Sequence, residues 1–220
     1  MKTWQPAIQD DMADFAKLGT PGIVQGQDED GGLPTRNWTR GAMGKERAKK
    51  ISGETLWDEY LAGWEEGTQF KTGRDTCYSC GIKCKRVVDS EWNGHKLFPE
   101  AGGPEYEGIS ALGSYSEIED MGAVTYMNQL CNDYGVDPIS AGATMAFAVE
   151  CFERGLITTE DTGGLELKWG NAVDVVEMLH RSLKREGFGD VLAEGSFRAA
   201  QQIGNGAEEY FMGVKGQEFP

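Results

Sequence analysis

MGAVTYMNQLCNDYGVDPISAGATMAFAVECFERG, residues 121–155, is the stretch from which the fold can be read. Met121 to Tyr134 has the composition of one helix, with Gly135 to close it. Asp137 then serves as an N-cap, with Pro138 at the first helical position. Ile139, Ala143, Ala146, Phe147 and Cys151 recur at helical spacing until Gly155. Cys151 falls on that apolar stripe and reads as a buried core thiol. Cys131 is similar, although its nearness to the Gly135 turn leaves a site role open. Asn132 to Asp137 forms a corner between two helices. The second helix offers free N–H groups and a positive dipole end to an anion or a polar heterocycle. The same pattern also suits an ordinary helix–helix corner.

Outward from this pair the chain stays helical. Asn171 can cap a helix whose core face holds Val173, Val176, Leu179 and Leu183, ended by Gly187. Asp190 can cap another, through Leu192 and Ala199 to Gly204, in which Gly195 and Ala199 allow close approach of a neighbour. Toward the N-terminus, Ile51-Ser-Gly-Glu54 leads a helix to about Glu66, with Leu56, Tyr60, Leu61 and Trp64 in one stripe. Gly19 to Gly44 is rich in Gly, Pro, Asn and Asp and reads as an irregular loop. Pro6 to Leu18 reads as a single amphipathic helix, stopped by Gly19. Asn93-Gly94, between Lys85–Trp92 and His95–Phe98, signals a type I′ hairpin. The expected class is mainly α: an irregular helical domain with a small β-hairpin.

Chemistry concentrates between Thr76 and Glu107. Cys77, Cys80 and Cys84 follow C-x2-C-x3-C spacing and hold three of the five cysteines in the chain. A short loop at that spacing can turn its thiolates toward a metal or cluster. Zinc would need a fourth ligand, for which His95 is available. A [4Fe–4S] cluster would also need a fourth, from Cys131, Cys151 or outside the chain, and spacing alone does not separate the two. Glu105 and Glu107, two apart, would share one side of an extended segment. Their mutual repulsion suits general acid–base work, while a solvated acidic loop is the plainer account. In Leu33-Pro-Thr-Arg-Asn37, turn chemistry and a packed functional loop are both open.

Totals narrow the function. The chain has 220 residues with formal charge −15, and a surface that negative repels nucleic-acid backbones and anionic membranes. Mean hydropathy is −0.48. Neither a signal peptide nor a bilayer-length apolar run is recognised. The cysteine usage fits a reducing cytoplasm better than a disulfide scaffold.

Taken together, the segments resemble the tungsten-containing aldehyde:ferredoxin oxidoreductase family. The match runs in the family's order: Leu33-Pro-Thr-Arg-Asn37, Ile51-Ser-Gly-Glu54, Cys77-x2-Cys80-x3-Cys84, Gly103-Pro-Glu-Tyr-Glu107, Asn132-x2-Gly-Val-Asp137 with Ile139-Ser-Ala-Gly142, Trp169-Gly-Asn171 and Val214-Lys-Gly216. The resemblance implies that Cys77, Cys80 and Cys84 ligate a [4Fe–4S] cluster. It implies that Glu107 lies beside tungsten and acts in catalysis. It also implies that Asn132, Gly135 and Asp137 contact one of two pterins; Asn132 stands where the family has an aspartate. The implied reaction converts an aldehyde and water to a carboxylate, with electrons leaving through the cluster to ferredoxin or another carrier protein. By the same resemblance, residues 1–220 are the helical central to C-terminal part of the subunit. The N-terminal β-rich pterin-binding domain and the extreme C-terminal part, with the fourth cluster cysteine, would lie outside it. The tungsten bis-pyranopterin would then belong to the complete enzyme, and homo-oligomer formation stays open. The tungsten subunit of a class II benzoyl-CoA reductase is the rival within the family.

Overall fold

A computed structural model describes residues 5–61 and 73–220. Five short helices come first: α1 (Gln5–Asp11), α2 (Ala13–Leu18), α3 (Val24–Asp30), α4 (Lys45–Lys50) and α5 (Gly53–Glu59). The core is built by α6 (Tyr106–Leu112), α7 (Met121–Tyr134), α8 (Pro138–Glu153) and α9 (Ala172–Lys184). α10 (Phe188–Leu192) and α11 (Ser196–Ile203) follow. The strands among the described residues are β1 (Arg74–Asp75), β2 (Lys85–Arg86), β3 (Ser90–Trp92), β4 (His95–Leu97), β5 (Gly213–Val214) and β6 (Gln217–Glu218). They pair as three two-stranded antiparallel sheets, so the fold is mainly α, as its sequence predicts.

α8 is the axis. Every residue from Ala141 to Cys151 is buried, and a helix apolar on all sides must be enclosed on all sides. α6, α7 and α9 enclose it. The α6 crossing is nearly backbone on backbone: a Cβ added at Gly142 would stand 2.4 Å from the carbonyl carbon and oxygen of Ala111. The corner between α7 and α8 follows its sequence signals. Gly135 adopts φ 68°, and the N–H groups of Gly135 and Val136 donate to the carbonyls of Asn132 and Cys131. Asp137 caps α8 by accepting from the N–H groups of Ile139 and Ser140, each at 3.1 Å. Cys131 and Cys151 are both fully buried.

Several elements depart from expectation. The N-terminal helix is broken at Met12 into α1 and α2. Residues 24–30, expected as loop, form α3, anchored by buried Asp28, which accepts from the N–H groups of Met43 (2.6 Å) and Gly44 (3.0 Å). The second predicted helix is α5, capped by Ser52 and ended at Tyr60; Trp64 and Glu66 lie outside the described residues. Val173 is 58% exposed and faces away from the core, which takes Val175 and Met178 from α9 instead. The helix expected from an Asp190 cap to Gly204 splits: α10 starts earlier, at Phe188 after Gly187, with Asp190 inside its first turn, and α11 starts after Gly195, whose φ of 85° cannot continue a right-handed helix.

The hairpin of β3 and β4 forms with Trp92 opposite His95 and positive φ at Asn93 and Gly94. It is shorter than predicted. Lys85 and Arg86 leave it to pair with Asp75 and Arg74, and Val88 bridges to Leu61. The cysteine loop is therefore closed by β1 and β2, not by the Asn93-Gly94 turn.

Candidate metal and acid site

β1 and β2 hold the ends of residues 76–84 together, and the loop between them carries all three clustered cysteines. Two residues in left-handed backbone, Ser79 and Lys83 at φ 61°, turn it tightly. Thr76 donates its hydroxyl to the Cys80 carbonyl at 2.7 Å. The Ile82 N–H, helped by the Thr76 hydroxyl and the Lys83 N–H, bonds the Cys80 sulfur and holds its thiol below the usual value, against an upward push from burial. Cys84 moves the other way, raised first by burial and then by the charges of Glu105, Cys80 and Cys77. Three thiolates thus repel one another until cations share their charge.

Under this loop lies Arg86, a fully buried arginine. Its guanidinium donates to the carbonyls of Ala16 (2.7 Å), Lys17, Lys83 (3.0 Å) and Cys84 (3.2 Å). Ala16 and Lys17 end α2, where carbonyls lack helical partners, so the arginine ties the cysteine loop to a helix terminus. Burial, followed by repulsion from Arg74, pulls Arg86 down to about 10, which leaves it charged at neutral pH. Gly19 closes the same joint: at φ 65°, a Cβ there would sit 2.5 Å from the Cys84 carbonyl oxygen.

The first acid of the pair, Glu105, is fixed by the residue after Gly19, Thr20. Its hydroxyl donates to the Glu105 carboxylate and accepts the Tyr106 N–H at 2.9 Å, so it caps α6 from a distant part of the chain. The segment is not extended as expected. Glu105 is the N-cap and Glu107 sits in the first helical turn, where the helix dipole favours a carboxylate. Both are exposed and still face one cleft.

That cleft, of about 850 Å³, joins Cys77, Cys84, Glu105, Glu107 and Asn132 in one lining, with Asn128, Pro138 and Ile139 behind them. Cys80, Gly135 and Asp137 are not in its lining. Asn132 donates to the Ala101 carbonyl at 3.0 Å, which leaves its side-chain oxygen available. The first amides of α8 are occupied by the Asp137 carboxylate, so the corner is not the bare helix terminus that its sequence suggested. In the Leu33–Asn37 run, Asn37 packs inward and donates to buried Glu150 (2.6 Å), Arg36 pairs with Glu153 at the surface (2.5 Å), and both stay out of the cleft.

The donor set, three thiols in one short loop, suits a thiolate-bound metal or cluster. Among the described residues no three His, Cys, Asp or Glu side chains are arranged around a single ion. His95 instead stacks on Tyr126, ring centroids 4.4 Å apart. Amides aimed at sulfur and a buried cation behind Cys84 both suit a negative group. Arg86, Gly19 and Thr20 were not found from sequence: a Lys-Arg pair reads as solvated surface, and Gly19-Thr20-Pro21 as punctuation.

The two core thiols supply a check on this packing. In metal-free protein at pH 8, iodoacetamide is expected to label Cys77, Cys80 and Cys84 and to spare Cys131 and Cys151. Burial pushes both of the latter up to about 12, so about one molecule in ten thousand is thiolate at that pH. Peptide mass spectrometry reads the result, and labelling of either at the rate of the loop cysteines would contradict their enclosure.

The family described as "Aldehyde ferredoxin oxidoreductase, domains 2 & 3" matches residues 1–220. The tungsten-containing aldehyde ferredoxin oxidoreductase of Pyrococcus abyssi is 41% identical over 207 residues, which cover 93% of this chain and 31% of that protein. The Pyrococcus horikoshii protein of the same name is 40% identical over an equal span. A solved structure, the active site complex BamBC of benzoyl coenzyme A reductase with 1,5-dienoyl-CoA, superposes with TM-score 0.64 at 25% identity, covering 99% of this chain and 34% of the other. The chain thus spans about a third of the length of the curated relatives it matches, and it belongs to the aldehyde ferredoxin oxidoreductase family, an oxidoreductase family, in the part formed by domains 2 and 3.

Proposed function

We propose that this chain is the cluster-bearing helical segment of a tungsten-pterin aldehyde oxidoreductase. One observation carries the reading: the cysteine loop, the first turn of α6 and the end of α7 open on a single cleft, so that Cys77, Cys84, Glu107 and Asn132 face a common space. Cys77, Cys80 and Cys84 hold three irons of a [4Fe–4S] cluster, with the fourth ligand from another segment of the enzyme. Asn132 offers its amide oxygen to a pterin, and Gly135 keeps the corner free of a side chain. Asp137 offers the lone pairs left over from capping α8.

When bound, the metal–pterin group accepts the two electrons released as an aldehyde and water become a carboxylic acid and two protons. Glu107 works at the proton side of that balance. Its carboxylate oxygen takes a proton from the attacking water. Arg86 and the amides around Cys80 hold the thiolates in place for the outgoing electrons. A ferredoxin-type carrier then receives them. Support for the aldehyde comes from relatives about 40% identical over 93% of the chain. The structural likeness to a benzoyl-CoA reductase complex favours reduction of an aromatic acyl thioester as the second reading.

The complete enzyme, purified without oxygen, is expected to contain iron, labile sulfide and tungsten and to reduce a viologen dye when given aldehydes. Ring reduction of an aromatic acyl-CoA, with no aldehyde turnover, would replace the first reading with the second. Zinc in place of iron would overturn both.

A further inference from the structure

Arg86 has no relative exposure, yet it forms no ion pair among the described residues. Its hydrogen bonds all end on backbone carbonyls: Ala16, Lys17, Lys83 and Cys84. Carbonyl dipoles satisfy its donors but supply no net charge. A cation withdrawn from water without a counter-charge is strongly penalised. Hydrogen bonding alone would not require an arginine here, since neutral donors satisfy carbonyls at lower cost. The ionisable groups that favour its charge are Glu105, exposed at the cleft, and the Cys84 thiol. Two features hold it rigidly. The fork is pinned at both ends, to α2 and to the loop, and Trp57 lies over the guanidinium at 5.8 Å from ring centroid to Cζ.

We infer that Arg86 is a positioning residue whose fixed positive charge is the internal counter-ion of the group bound by Cys77, Cys80 and Cys84, and that it sets how readily this group accepts an electron. The inference rests on the cluster reading above. A fixed cation lowers the energy of each added negative charge, so it raises the reduction potential of a neighbouring cluster. The residue touches neither substrate nor the reacting atoms. Its effect reaches the reaction through the driving force for electrons leaving the cleft.

The test is an EPR-monitored redox titration of the complete enzyme, wild type against Arg86→Met and Arg86→Lys, with iron and sulfide counted in each. Methionine removes the charge and keeps an unbranched stem; lysine keeps the charge and gives up the fork. The expected result for Arg86→Met is four irons with the reduction equilibrium shifted at least tenfold against the reduced state, about 59 mV to the negative for one electron. Arg86→Lys should recover most of that shift. If Arg86→Met loses its iron and Arg86→Lys retains it, the charge is again what the loop requires. An unchanged potential in Arg86→Met, an equal shift in both variants, or loss of iron from both would overturn the inference and leave Arg86 as a structural latch. A wild-type enzyme with no four-iron signal would instead defeat the cluster reading itself.

Discussion

Glu107→Gln in the complete enzyme is expected to lower aldehyde turnover by about 10²–10⁴-fold, the usual worth of a positioned general base, with iron and tungsten contents unchanged. The amide matches the carboxylate in size and loses its negative charge, and with it the ability to accept a proton. The structural cost is small, because Glu107 is an exposed first-turn residue of α6. Losing its interaction with the helix dipole forfeits about 0.3–1 kcal/mol. A fall in kcat at constant metal content would separate chemistry from folding, and unchanged turnover would remove Glu107 from the proton-accepting role. The Thr20–Glu105 contact gives the neighbouring carboxylate a structural task instead, so the two acids of Gly103-Pro-Glu-Tyr-Glu107 are not interchangeable.

The second large effect is on stability. Gly142→Ala places a methyl group 2.4 Å from the Ala111 carbonyl and 2.8 Å from the Leu112 nitrogen. Those atoms are helix backbone and have no rotamer to escape into, so α6 and α8 must separate. Overpacking of this kind costs about 3 kcal/mol, and the better helix propensity of alanine returns about 1 kcal/mol. The net loss of about 2 kcal/mol corresponds to a fall of about 4–8 °C in thermal unfolding for a chain of this size. Gly135→Ala is a useful contrast: its added Cβ meets nothing within 4 Å, and only the positive φ is penalised, at about 1–2 kcal/mol. If Gly142→Ala unfolds at the wild-type temperature, α6 and α8 do not cross backbone on backbone.

Local signals carried the long helices. Asp137-Pro138, Gly135 and Gly155 mark ends by backbone chemistry that needs no tertiary partner, and α7 and α8 follow them. Asn93-Gly94 is equally local, since both residues must reach positive φ within one turn. What escaped was long-range. β1 and β2 are two residues each and exist because Arg74 and Arg86 meet across a loop, a pairing that leaves no periodic trace. α3 is short and polar, and a buried Asp28 bonding loop amides stabilises it rather than an apolar face. The cleft was legible as a set of residue types, Cys77, Cys84, Glu107 and Asn132, but not as a place. Its footing, Arg86 on Ala16 and Lys17, joins residues some seventy positions apart, and a charged side chain gives no hint in sequence that it will be buried.

Ala16 to Thr20 now acquires a meaning beyond its few contacts. Within five consecutive residues the chain supports Arg86 through two carbonyls, approaches Cys84 at Gly19 and caps α6 through Thr20. The thiol loop and the acidic turn are thereby gauged from one ruler. A single inserted residue between 16 and 20 would put both out of alignment together. A side-chain change in the same segment would act on one alone: a methyl group at Gly19 meets Cys84 and Arg86, whereas loss of the Thr20 hydroxyl uncaps only α6.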